Sequence, residues 1–168
     1  MFHIKIKKLY WIDGSDDDPN DLCLHGDVAV DIGAKHYEES CTVSATALFL
    51  LKSLIRDHII FQNNPMLPCC GHFLIPDEKN ETVTILGCSN GIDWSVLRHG
   101  NRIIIVTEKG KKTTISPDEY RKSVFAFADT IERYYQNCSP KILSSLDSYA
   151  RNAYEVFWRE WKRLRLNG

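Results

Sequence analysis

The sequence predicts an α+β fold, in which a mainly antiparallel sheet of about seven strands packs against amphipathic helices. Three observations support this fold class: short runs alternate apolar and polar residues, turn formers separate the runs, and two long helical periodicities close the chain. The 168 residues are enough for one continuous core, and no long linker interrupts them. We therefore expect a single domain over residues 1–168 with the element order β-β-α-β-β-β-β-β-α-α.

The N-terminal segment predicts two paired strands joined by an acidic loop. Apolar and polar residues alternate from Phe2 to about Ile12, which is the period of a half-buried strand. Alternation resumes over residues 22–32, where Gly26 favours a bulge or a bend. Between these runs, residues 13–21 are rich in aspartate and turn formers, so they predict a loop.

The middle of the chain predicts one helix and then an antiparallel meander. Apolar residues recur at three- and four-residue steps over residues 42–61, and Pro65 follows where a helix has to end. Turn sequences rich in glycine, asparagine and proline then separate five short predicted strands. These strands cover residues 72–75, 82–88, 92–97, 102–107 and 111–115. The unbroken apolar run at residues 103–106 indicates a central strand covered on both faces.

Two amphipathic helices are predicted at the C-terminal end. Ser116, Pro117 and Glu119 form a strong start signal, since serine suits the N-cap, proline the first turn and glutamate the third position. This helix is expected to end before Pro140. The last helix is expected over roughly residues 145–164, where apolar side chains recur at helical spacing.

Composition and charge exclude several classes of partner. The formal net charge is −1 at pH 7, so no overall positive field favours general nucleic-acid binding. The longest apolar stretch, residues 45–51, is far too short to cross a bilayer. The N-terminus lacks the features of a signal peptide. We therefore expect a cytoplasmic, non-membrane protein with free cysteines.

Cysteine and histidine residues raise the alternative of a cysteine- or zinc-dependent enzyme. Cys69, Cys70 and His72 offer two thiols and an imidazole close together, and Cys23 and His25 offer another pair. Their spacing does not match the usual zinc motifs, and adjacent cysteines in a strand point to opposite faces. We therefore predict no bound metal and no cofactor.

Cys41 is the cysteine best placed for a reactive thiolate, because it immediately precedes the first predicted helix. The alternative is that it merely marks the start of that helix. The chain has no Walker loop, no G-x-S-x-G, no H-E-x-x-H and no G-x-G-x-x-G. The sequence therefore favours a protein without catalytic residues.

Acidic and aromatic residues are the candidates for contact with a protein partner. Concentrated carboxylates attract a basic protein, although a solvated loop is the simpler alternative, and the residue order of a calcium-binding EF-hand is absent. The candidate acidic residues are Asp13, Asp16, Asp17, Asp18 and Asp21. Trp94 and Trp158 are added because tryptophan often anchors interfaces.

Three segments in the C-terminal half together resemble a known class of proteins. The segment Gly91-Ile92-Asp93-Trp94-Ser95-Val96, the apolar strand ending at Val106 and the capped helix that includes Glu119-Tyr120-Arg121 resemble small bacterial immunity proteins encoded beside polymorphic toxins. The resemblance implies a protein that covers a toxin's active site, often with an acidic surface. The near-neutral net charge departs from the strongly acidic members.

Together these observations predict a non-enzymatic protein-binding module that neutralises a toxin domain. Two alternatives remain at this point: a cysteine- or zinc-dependent enzyme, and a structural subunit of a larger assembly.

Overall fold

The protein is seen in a computed structural model that describes residues 1–62, 64–71 and 73–167. Three helices and several small antiparallel sheets confirm the predicted α+β class. The elements within these ranges are β1 (Phe2–Tyr10), β2 (His25–Ile32), β3 (Lys35–Cys41), α1 (Val43–Ser53), β4 (Leu67–Pro68), β5 (Phe73–Pro76), β6 (Val83–Leu86), β7 (Gly91–Ile92), β8 (Trp94–His99), β9 (Arg102–Thr107), β10 (Lys112–Ile115), α2 (Pro117–Asn137) and α3 (Ser148–Asn167).

The N-terminal sheet has the order β1-β2-β3, which confirms the predicted pairing of the first two strands. The pairing is irregular between Ile6 and Lys8 of β1, and Gly26 of β2 lies against this irregularity. Strand β3 was not predicted from the sequence. Among the described residues it pairs with β2 alone, and it forms an edge whose side chains are mostly exposed or half-buried, so its apolar pattern is weak.

The predicted five-strand meander is divided into three units. Of its predicted strands, β8, β9 and β10 form one continuous meander with β9 in the centre, as predicted. The expected cover on both faces of β9 is incomplete, because Ile103 and Ile105 are buried whereas Ile104 and Val106 are half-buried. Strands β5 and β6 make a separate hairpin, and β4 pairs with β7. Asp93 separates β7 from β8, since its carboxylate accepts hydrogen bonds from the N–H groups of Met66 and Trp94 at 3.1 and 2.9 Å.

The helices differ in how closely they follow the predictions. Helix α2 begins at Pro117 with the predicted capping box: Ser116 Oγ accepts from the Glu119 N–H at 3.2 Å. Helix α1 is shorter than predicted and ends at Ser53, because the chain turns after Leu54 and His58 then pairs with Val96 as an isolated bridge. Helix α3 begins three residues later than predicted.

One hydrophobic cluster joins the sheets to all three helices. Helix α1 lies at its centre, with 10 of its 11 residues buried. The fully buried Trp11, Trp94 and Trp161 come from distant parts of the sequence and pack into this cluster. In the part of the chain that is described, no helix is long and apolar enough to cross a membrane.

Candidate protein-binding surface

The acidic loop, residues 13–21, is fastened to the segment that connects α2 to α3. The Asp17 carboxylate accepts hydrogen bonds from the Ser139 N–H at 3.0 Å and the Ser139 hydroxyl at 2.7 Å. The Pro19 carbonyl accepts from the Ile142 N–H at 2.9 Å. These contacts join residues that are more than a hundred positions apart, so the loop has a defined place on the surface.

Three further carboxylates of the loop fold its own backbone. Asp13 accepts from the Ser15 N–H and Asp18 from the Asn20 N–H, both at 2.8 Å. Asp21 accepts from the Cys23 N–H at 2.9 Å. These are Asx turns, in which an aspartate carboxylate accepts a hydrogen bond from the backbone N–H two residues later in the chain. The carboxylate takes the place of the carbonyl that would accept in a backbone turn. Most of the aspartates are therefore structural residues of the loop.

Asp16 differs from its neighbours. Its carbonyl accepts from the Tyr134 hydroxyl at 2.9 Å, which fixes the backbone. Its side chain is exposed, and among the described residues no hydrogen bond or ion pair to its carboxylate is found. Asp16 therefore presents its charge to solvent from a fixed position.

The loop keeps its negative charge at neutral pH. Hydrogen bonds from Ser15 lower the pKa of Asp13, and hydrogen bonds from Ser139 lower the pKa of Asp17. In both cases the bonds stabilise the ionised carboxylate more than the protonated one. The loop is therefore anionic across the physiological range.

Trp158 lines a groove beside the acidic loop. Its half-buried ring contacts the rings of Tyr135 and Trp161, with centroids 4.9 and 5.2 Å apart. The groove has a volume of about 340 Å³ and runs between α3, the end of α2 and the connection that includes Pro140 and Lys141. It therefore offers an aromatic wall to a ligand or partner.

The connection between α2 and α3 joins the loop to the groove. Lys141 lines the groove, and its Nζ atom lies 3.1 Å from the centroid of the Trp11 ring and donates to the Asp18 carbonyl. Ile12 and Ile142, at the two sides of the loop, are 67% and 43% exposed. We call residues 13–21 and 139–142 together with Trp158 the loop–groove surface. It combines carboxylates, exposed apolar side chains and an aromatic groove.

Trp94 does not belong to this surface. Its side chain is 0% exposed, and its ring packs against Phe2 with a centroid distance of 6.1 Å. The predicted role of Trp94 in partner contact is therefore corrected to a role in the core. The alternating pattern around it could not reveal which face of the strand is covered.

Cys41 is buried and Cys23 is half-buried, and both thiols are poorly suited to nucleophilic chemistry. Cys41 is 1% exposed, and desolvation raises its pKa to about 12. Desolvation also raises the pKa of Cys23 to about 12. Buried thiols of this kind stay protonated at neutral pH and behave as small apolar side chains.

Cys69 and Cys70 were expected to point to opposite faces of a strand, and that prediction is wrong. Strand β4 ends at Pro68, so the two cysteines lie in an irregular segment where both sulfurs approach Cys88. The structure pairs Cys69 with Cys88 as a disulfide, in contrast to the free thiols expected from the sequence. His72, the other candidate metal ligand, lies outside the described residues.

Two buried polar pairs were missed by sequence reasoning. Lys52 Nζ lies 3.2 Å from the Glu160 carboxylate, and His58 Nε2 lies 2.8 Å from that of Asp93. Lys52 and His58 line a cavity of about 470 Å³. The one available signal was that Glu160 falls on the apolar face of α3, three residues after Phe157.

The Lys52–Glu160 pair is satisfied within the core. Glu160 Oε2 also accepts from the Val83 N–H at 2.8 Å, and Lys52 Nζ donates to the Val83 carbonyl. Burial lowers the pKa of Lys52, while the Glu160 charge opposes that shift. The pair therefore ties α1 and α3 to β6, which is a structural role.

Comparison of the chain with protein-family models, with curated proteins and with solved structures finds no match. No residue role can therefore be transferred from a relative. The loop–groove surface is defined by the contacts of this chain alone.

Proposed function

We propose that the protein is a non-enzymatic binding module, an immunity protein that covers the active site of a toxin domain with its loop–groove surface. The observation that carries the proposal is the fastening of the acidic loop to residues 139–142, beside the groove of Trp158. This arrangement places fixed negative charge next to apolar and aromatic side chains. The resemblance of the C-terminal half to immunity proteins agrees with it.

A fixed surface favours tight binding. A loop that is already ordered loses little conformational freedom when a partner binds, so less of the interaction energy is lost. The Asp17–Ser139 and Pro19–Ile142 hydrogen bonds provide this order before any partner arrives.

The charge of the surface indicates the chemistry of the partner. Aspartates at a surface speed the approach of a basic protein and discriminate against acidic ones. The groove of Trp158 accepts an apolar side chain, and aromatic residues in such positions often carry much of the binding energy. We therefore expect a toxin domain with a basic surface and an apolar residue at its centre.

Co-expression with the product of the neighbouring gene tests the proposal. We expect a stable complex that copurifies and that relieves the growth arrest caused by the neighbour alone. Trp158→Ala should weaken the complex at least about ten-fold. Asp16→Lys should slow association, with a smaller effect at high salt.

Two control variants match these changes elsewhere on the surface. Glu108→Lys reverses an exposed charge in the turn between β9 and β10, and Phe73→Ala removes a 56% exposed aromatic ring on β5. Both should bind like the wild type. The proposal fails if no complex forms with a toxic neighbour, or if the control variants weaken the complex as much as Trp158→Ala and Asp16→Lys do.

A further inference from the structure

Three cysteine sulfurs converge where two short strands pair. Cys69 and Cys70 follow β4, and Cys88 precedes β7, which pairs with β4. The three Sγ atoms all lie within 4.8 Å of one another. The Cys69 N–H donates to the Asn90 carbonyl at 3.2 Å, so the two segments are held together beside the sulfurs as well.

Two glycines allow the segments to come this close. A side chain at position 87 would clash with the carbonyl oxygen of Cys70, and one at position 91 would clash with that of Leu67. Gly91 also has a φ of 142°, a backbone conformation that other residues rarely adopt. The close approach of the two chain segments at Cys88 therefore depends on Gly87, just before this cysteine, and on Gly91, shortly after it.

The grouping suits a thiophilic metal ion. Zinc takes thiolates at about 2.3 Å in a tetrahedron, which places neighbouring sulfurs about 3.8 Å apart. Sulfurs already within 4.8 Å of one another reach that geometry with small side-chain movements. The Cys88 N–H donates to Cys70 Sγ at 3.0 Å, and such bonds stabilise the negative charge of a metal-bound thiolate.

The involvement of Cys70 distinguishes a metal site from a disulfide alone. A disulfide needs only Cys69 and Cys88, whose Cα atoms are 7.0 Å apart. Disulfides usually have Cα separations of about 4.4–6.8 Å, whereas an ion between two sulfurs spans a longer distance. The Cys70 sulfur, which accepts a hydrogen bond from the Cys88 N–H, takes no part in the disulfide.

We propose that the reduced protein binds a zinc ion through the thiolates of Cys69, Cys70 and Cys88. Two equivalents of a small thiol reductant open the disulfide: as they are oxidised to their own disulfide, they supply the two electrons and two protons that turn Cys69 and Cys88 into thiols. Each of the three thiols then releases its proton to solvent as its sulfur binds the ion. A fourth ligand comes from outside these three. The site joins the segments after β4 and β6 and is independent of the loop–groove surface.

Metal analysis of the reduced, full-length protein tests the proposal. We expect about one zinc ion per chain after exposure to zinc and removal of excess. Cobalt in its place should give the sulfur-to-metal charge-transfer absorption and the visible bands of a tetrahedral ion. Cys69→Ser, Cys70→Ser and Cys88→Ser should each weaken zinc binding at least about ten-fold.

Cys138→Ser is the matched control, because Cys138 is also half-buried but its sulfur contacts the Asp16 carbonyl instead. It should bind zinc like the wild type, and circular dichroism should verify that every variant is folded. The proposal is overturned if Cys70→Ser keeps wild-type zinc affinity, or if the reduced wild-type protein binds no zinc. Peptide mapping verifies that Cys69 and Cys88 are free thiols before zinc is added.

Discussion

Carboxylates in the core and carboxylates in the acidic loop perform different tasks. Glu160 and Asp93 are buried. Each pairs with a cationic side chain or an imidazole, and each accepts a hydrogen bond from a backbone N–H of a distant segment. Asp13 and Asp17 are exposed and accept bonds from their own loop or from Ser139. The buried groups fix the positions of helices and strands, whereas the loop groups shape a surface and leave its charge available.

The energetic reason is solvation. A buried charge loses its hydration, so removing one member of a buried pair leaves the other without compensation. An exposed carboxylate stays hydrated, and its contacts contribute little to the free energy of unfolding. The comparison therefore predicts large stability effects in the core and small ones in the loop, with the opposite order for partner binding.

The largest expected effect is that of Glu160→Ala. It leaves Lys52 buried without its counter-ion and the Val83 N–H without its acceptor. We expect a loss of about 3–5 kcal/mol in the free energy of unfolding, measured by urea denaturation.

A double variant separates the cost of leaving a buried charge unpaired from the cost of losing packed volume in this pair. Lys52→Met with Glu160→Leu removes both charges and keeps apolar volume, so it should recover much of the lost stability. If Glu160→Ala costs less than about 1 kcal/mol, the pair is solvated and the contrast with the loop disappears.

A smaller effect is expected for Asp17→Asn, with a defined pH dependence. The folded-state pKa of Asp17 lies below its unfolded value, so its contribution to stability is present at neutral pH. That contribution is lost as the pH falls through the folded-state pKa, below about pH 4. The difference in unfolding free energy between wild type and Asp17→Asn should therefore be constant near neutrality and shrink in acid. A difference that grows in acid would contradict the assignment.

The smallest stability effect is expected for Asp16→Lys. No partner of its carboxylate is found among the described residues, so the free energy of unfolding should change by no more than about 0.5 kcal/mol. A larger loss by urea denaturation would mean that Asp16 is also a structural residue of the loop.

Local signals predicted much of the fold. The start of α2 follows from Ser116, Pro117 and Glu119 because a capping box satisfies donors within a single turn. The central position of β9 follows from its apolar run. Strand β3 and the division of the meander were not predictable in this way, because they depend on pairing with distant segments.

The candidate surface was predicted only in part. The acidic loop was visible as a cluster of aspartates, but its fastening to Ser139 joins residues 122 positions apart and has no local signal. Trp94 and Trp158 look alike in the sequence, yet one is in the core and the other lines a groove. Cys88 was missed as a neighbour of Cys69 and Cys70 because the pairing of β4 with β7 brings it there.

The proposed immunity function implies that the neighbouring gene encodes a toxic product, and rescue from that toxicity tests the proposal most directly. The toxic product is expressed in a bacterial host with wild type, Asp16→Lys, Trp158→Ala or the control Glu108→Lys, and growth and complex formation are measured together. The loop–groove surface predicts rescue by wild type and Glu108→Lys and reduced rescue by the other two, at equal protein levels. Equal rescue by all four variants, or no rescue by the wild type, would contradict it.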